Sequence, residues 1–209
     1  MQRFARVVVL AALVTATASC GDVVRQGRAP VFLVIDSLQA ASGKAPDELF
    51  SFLLSDVESD NTSPPCSTAA PCPTYFNDPG RVTLRTVPKD LGSPALPTVP
   101  TSNNEVTITR YRVSYRRADR PNGGTPGVDV PFAFDGAATG TVPNGGSQLS
   151  IGFQLVRHVA KRETPLIQLI VSPTVITTIA DVTFYGQDRV GNAISVTGSI
   201  QIDFGNFGG

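Results

Sequence analysis

Tryptophan is absent from this chain, and histidine and methionine each occur once. A single histidine, His158, gives Ser/His or Cys/His nucleophilic catalysis almost nothing to stand on, and no Gly-x-Ser-x-Gly elbow makes up for it. Its setting, Arg157-His158-Val159-Ala160-Lys161-Arg162, reads as a solvated strand end. One histidine beside three cysteines is also a poor zinc ligand set. With no tryptophan and only 4 tyrosines, recognition of sugars by ring stacking is weakly provided for. Charge is sparse as well: 17 Lys+Arg against 17 Asp+Glu give zero formal net charge, so no global field recruits nucleic acid or an anionic membrane. No apolar run approaches the roughly 20 residues that a membrane-spanning helix needs. These shortages point away from an enzyme and from a bound cofactor. Glycine (19) and proline (17) are plentiful, which suits short strands joined by many turns, and the length supports one sizeable core.

The first residues have a different character. Arg3 and Arg6 precede an apolar run from Val7 to Val14, followed by the small residues Thr15 to Ser19. That order is the pattern of a secretory signal peptide over residues 1–19, expected to be helical. Ala16-Thr17-Ala18 fits a small-x-small cleavage site, whereas Thr17-Ala18-Ser19-Cys20 resembles the lipobox of bacterial lipoproteins, with Thr17 where leucine is commonest. The resemblance implies that Cys20 becomes the lipidated first residue of the mature chain, held in a membrane by several acyl chains. Three cysteines are an odd number in an oxidising compartment, and assigning Cys20 to a lipid leaves Cys66 and Cys72 as a disulfide pair. Residues 20–30 then read as a polar tether, and residues 31–209 as one folded domain.

Within that domain the period is two. Val31 to Leu38 is a dense β-forming run, apolar on both faces near its start, expected at a central position in a sheet. Residues 47–57 fit a short helix begun at Pro46 or a second strand equally well. Glu58 to Pro73, with four prolines, is loop by composition and holds Cys66 and Cys72. Arg81 to Val87 alternates cleanly, with Val82, Leu84 and Thr86 on one face. From Val106 to Tyr115 the apolar phase moves from Val106 and Ile108 to Tyr111, Val113 and Tyr115, which one inserted residue would cause. A β-bulge near Thr109 or Arg110 is the expected reason. Strands are further expected over Val130–Phe134, Leu149–Val156 and Pro165–Val171.

The closing segment gives the sharpest pattern. Val182 to Asp188, a tight turn over Arg189-Val190-Gly191-Asn192, and the alternation Ile194, Val196, Gly198, Ile200, Ile202, Phe204 predict a β-hairpin. The stretch Tyr185 to Asn192 resembles the closing hairpin of bacterial immunoglobulin-like and HYR-type extracellular domains, which often carry Asp-x-x-Gly-Asn there. Strand number and spacing, with this resemblance, predict an all-β immunoglobulin-like β-sandwich of about seven to nine antiparallel strands.

Candidate sites are few. Arg110, Arg112, Arg116 and Arg117, with Arg120, concentrate positive charge along one strand and its exit, where they could meet an anionic glycan or a partner's acidic face, or form local ion pairs. Asp188 and Asn192 could contribute to a calcium site, although turn-stabilising bonds are the favoured role. The acidic run Asp56 to Asn61 lacks the glycine and distal glutamate of a calcium loop. A rigid β-scaffold with long loops and no catalytic constellation suggests a non-enzymatic interaction module of the cell envelope, anchored to a membrane and bound to an envelope protein, with a glycan- or calcium-binding module as the alternative.

Overall fold

Alternating apolar residues fold here as two stacked sheets whose inward faces share one core. The structure is a computed structural model and describes residues 27–207. The leader, Cys20 and most of the tether therefore lie outside the described residues. One sheet has three strands: β1 (Val31–Ala40), β5 (Asp78–Pro88) and β10 (Gln148–Val156), in the order β1-β5-β10. The second has five: β2 (Phe52–Asp56), β8 (Val106–Arg117), β9 (Phe134–Val142), β11 (Ile176–Asp188) and β12 (Ala193–Gly205), in the order β2-β12-β11-β8-β9. Two small ribbons, β3 (Ser59–Asn61) with β4 (Cys72–Thr74) and β6 (Gly92–Ser93) with β7 (Leu96–Pro97), sit in connections. Helical pieces among the described residues include α1 (His158–Lys161) and 3₁₀ turns at Ser102–Asn104 and Leu166–Ile170. Among the described residues no helix is long and apolar enough to cross a membrane.

The all-β sandwich follows from the period-two pattern. In β5, Val82, Leu84 and Thr86 are buried, as their alternation predicts. Thr109 is skipped in the β8–β11 register, where Tyr185 faces Arg110 and Gly186 faces Ile108. This bulge keeps Val106 and Ile108 on the same buried side as Tyr111, Val113 and Tyr115. The β11–β12 hairpin pairs without interruption from Ile176↔Phe204 to Gln187↔Ala193. Between the sheets, Tyr111, Phe153 and Phe184 form an edge-on and tilted aromatic group, with Tyr111–Phe153 and Phe153–Phe184 centroids each 5.3 Å apart.

Several expectations are corrected. β1 is an edge strand, and Phe32 is exposed beneath the Lys89 ammonium. Its apolarity on both faces has another cause: Asp36 is skipped in the β1–β5 register, so the inward phase changes from Val31 and Leu33 to Leu38 and Ala40. Gly198 on β12 leaves the space into which Ile35 and Leu38 settle; a Cβ there would lie 2.8 Å from Ile35 Cδ1. The pairing is not antiparallel throughout, because β2 runs parallel to β12 (Gln201↔Phe52 to Gly205↔Asp56) after the chain crosses from the first sheet through the Ala40↔Phe50 bridge. Pro165–Val171 is a 3₁₀ turn, since Leu166 and Leu169, three apart, point into the core. Residues 130–133 precede the strand that starts at Phe134, Pro131 having no N–H to donate. The segment around His158 is a short helix and not a strand end. Residues 52–56 resolve as strand.

Register also fixes the two ends of the sandwich. Val31 pairs with Pro88, Val106 with Asp188 and Val142, and β12 begins at Ala193, so residues 27–30, 89–105, 143–147 and 189–192 share one end. The longer connections, 41–51, 57–77, 118–133 and 157–175, gather at the opposite end.

Candidate functional site

Arg110, Arg112 and Arg116 alternate with the buried residues of β8 and so project outward, each toward an acidic partner, while Arg117 lies on the inward phase at the end of the strand and is largely covered. Arg110 and Arg112 share Asp135 (3.2 and 2.6 Å), and the Arg110 guanidinium also lies 3.7 Å from the Tyr185 ring centroid. Arg116 meets Asp181 at 3.1 Å, and Arg120 meets Asp129 at 2.8 Å. Arg117 grips Asp119 with Nε and Nη2 at 2.7 and 2.6 Å. That fork holds the Asp119 carboxyl below, and the Arg117 guanidinium above, their ordinary ranges. Five guanidinium groups thus face four carboxylates, so most of the positive charge of the row is opposed locally. Exposed pairs of this kind contribute about 0–1 kcal/mol each.

Asp188 is buried in the hairpin turn, and its oxygens are occupied. Oδ1 accepts from the amides of Val190 (3.0 Å) and Asn192 (2.8 Å), and Oδ2 accepts from Asn192 Nδ2 (2.8 Å). Gly191 takes the left-handed conformation that closes the turn (φ 86°). Asp188 and Asn192 therefore satisfy each other. The acidic run from Asp56 is dispersed too: Asp56 Oδ1 accepts from the Phe207 amide, Glu58 from the Tyr75 hydroxyl, and Asn61 from the Ser63 amide. Among the described residues no group of three or more His, Cys, Asp or Glu side chains is arranged to hold a metal ion. Cys66 and Cys72 form the expected disulfide and close the tip of the 57–77 connection. His158 donates its backbone N–H to Asn77 Oδ1 (2.7 Å), and its Nδ1 lies 3.0 Å from the same oxygen.

Two features had not been singled out in the sequence. The first is a buried ionic cluster at the elaborated end. Lys161, from α1, is 1% exposed, and Asp78, opening β5, and Ser55, from β2, are fully buried. Lys161 Nζ lies 2.9 Å from each Asp78 oxygen and donates to the Asp56 carbonyl at 2.8 Å. Ser55 Oγ donates to Asp78 Oδ2 (2.6 Å) and the Gly43 amide to Asp78 Oδ1 (2.8 Å). Burial pushes the Asp78 carboxyl up, against the opposing pull of Lys161 and the hydrogen bonds. Enclosed on all sides, these groups have no access to an external substrate.

The second is the outward row of β2. Leu53, Ser55 and Val57 face the core, which turns Phe52 and Leu54 outward in line with Phe50 just before the strand. Phe50, Phe52 and Leu54 are 52, 46 and 51% exposed, and the two rings pack at 6.3 Å. With half of each side chain accessible, the row offers roughly 300 Å² of apolar surface. It borders a shallow hollow of about 190 Å³ reached by Ser42, Ala45 and Glu48. β2 is the outermost strand of its sheet, so one side of its backbone has no strand partner among the described residues. On the adjoining β12 face, the buried Asp203 Oδ1 lacks a hydrogen bond. An apolar row on a free edge is what soluble sheets ordinarily avoid. Its signal in the sequence is Phe50-Ser51-Phe52-Leu53-Leu54, where strand geometry forces apolar residues onto the solvent face.

A larger open cleft of about 570 Å³ lies beside Arg81, Tyr111, Phe153 and Gln154. The Phe153 and Tyr111 rings fill the space above Gly80 and Gly136, and the Tyr111 hydroxyl accepts the Gln154 amide. No family model, curated protein or solved structure matches this chain, so the β2 row and its edge are identified by geometry alone.

Proposed function

We propose that this chain is a non-enzymatic interaction module of a bacterial cell envelope, anchored through Cys20 after removal of a signal peptide, and that it grips a protein partner along β2. The observation that carries the reading is the alignment of Phe52 and Leu54 on the free edge of β2, extended by Phe50 just before the strand. A strand added there would pair with the open backbone and cover the row, the usual mode of β-augmentation. Placement supports it: β2 leads to the end opposite residue 27, so an anchor at Cys20 would leave this face and the long connections turned away from the membrane. The three- and five-stranded sheets, with β2 running beside β12, support an immunoglobulin-like arrangement. Calcium or glycan binding is the weaker reading, because Asp188 and the β8 arginines already have partners.

The test is in-cell crosslinking followed by mass spectrometry, comparing the natural chain, Phe52→Ser/Leu54→Ser and Cys20→Ser. The expected outcome is a discrete set of protein adducts lost in the double variant and diminished in the mislocalised one. Adducts that survive the double variant would remove β2 from the reading, and adducts to glycan alone would replace it.

A further inference from the structure

The Ser55–Asp78–Lys161 cluster has the arrangement of a reaction as well as that of an ion pair. We propose that Lys161 and Asp78 condense into an intramolecular amide, crosslinking α1 to the first residue of β5. Nζ stands 2.9 Å from both carboxyl oxygens, which by the shape of a carboxylate places it within about 3.3 Å of Cγ, inside the roughly 3–3.5 Å of a near-attack geometry. Burial pushes the Asp78 carboxyl up, toward the protonated form that reacts. One donor is fixed on each carboxyl oxygen: the Gly43 amide on Oδ1, where it polarises the carbonyl and receives the charge of a tetrahedral intermediate, and Ser55 Oγ on Oδ2, the oxygen that leaves. The Asp56 carbonyl holds one Nζ proton and so orients the nitrogen.

One proton moves from Nζ to Asp78 Oδ2, and the nitrogen lone pair so freed forms a bond to Cγ. Ser55 Oγ gives its proton to the hydroxyl oxygen Oδ2 and takes up one N–H proton in return. The Cγ–O bond breaks, and water leaves an amide behind. No oxidant, metal or second substrate enters. The reaction occurs once in each chain, so it needs only to be fast against the lifetime of the protein.

Tryptic mapping of the natural full-length protein decides the matter. Trypsin would otherwise release residues 45–81 and cut after Lys161. The crosslink predicts a branched fragment joining 45–81 to 158–162, lighter by one water than the sum of its parts, and no cleavage after Lys161. Lys161→Arg, which keeps the cation but is not a nucleophile, is expected to give the two fragments separately. Ser55→Ala is expected to lower the crosslinked fraction at a fixed time after synthesis. Separate 45–81 and 158–161 fragments from folded, aged natural protein would overturn the proposal and leave a buried ion pair. This readout is independent of whether β2 binds a partner.

Discussion

Replacing Asp188 by alanine should loosen the closing hairpin by an amount that the turn geometry fixes. Its carboxylate accepts three hydrogen bonds, from Val190 N, Asn192 N and Asn192 Nδ2. A bond to a charged acceptor contributes about 1.5–3 kcal/mol, but Val190 and Gly191 are exposed, so water takes over much of what the turn loses. The net cost is then close to one such bond, about 2–3 kcal/mol. For a domain of this size about 1 kcal/mol shifts Tm by roughly 2–4 °C, giving an expected fall of about 5–10 °C in circular-dichroism melts. Asp188→Asn keeps an oxygen for the two backbone amides and should lose only about 1 kcal/mol. Calcium and chelator should leave every variant unmoved. Stabilisation of the natural chain by calcium, absent in Asp188→Ala, would refute the turn-stabilising account and turn Asp188 into a ligand.

Gly80→Ala should cost about 1–3 kcal/mol in urea unfolding, because the new Cβ would lie 2.4 Å from the packed Phe153 ring; an unchanged midpoint would show that the ring can yield. Removing the Cys66–Cys72 bridge should raise protease cutting within residues 57–77 several-fold while moving Tm by less than about 3 °C, since the small ring restrains a connection and not the core; a larger fall would mean that the loop and sandwich unfold together. Asp119, held by Arg117, should titrate below the ordinary aspartate range in carboxyl NMR, so the pair persists as pH drops through that range and opens only beneath it; an ordinary titration would show that the fork is not formed in solution.

Much of the sandwich was legible because the information is local. The β8 bulge appears in the sequence as a phase change around Thr109, and the last hairpin as two alternating runs about Gly191. β9 was missed because an edge strand built from Ala, Gly and Thr buries only Phe134, Ala138 and Val142 and carries little apolar signal. β1 misled for the opposite reason, since a bulge at Asp36 writes apolar residues onto both faces of a strand that sits at an edge. The sites were less legible than the fold. Lys161 lies 83 residues from Asp78, and only the docking of α1 against the start of β5 makes them neighbours. The arginine row was visible as charge, but its acidic partners come from β9, β11 and the loop after β8, so the pairing that offsets most of that charge could not be read from β8 itself.

The opposed placement of residue 27 and β2 also settles how a pull on this domain would travel. Were the N-terminus anchored and a partner held on β2, as proposed, traction between them would enter along β1, whose ladder with β5 runs from Val31↔Pro88 to Ala40↔Gly80, parallel to the applied force. The strands are then sheared, and the hydrogen bonds of the ladder share the tension and must fail together instead of opening one after another from an end. β2 meets its own neighbour in the same geometry, side by side with β12. A domain strung in this way behaves as a stiff link, while the same sandwich pulled across its strands would unzip.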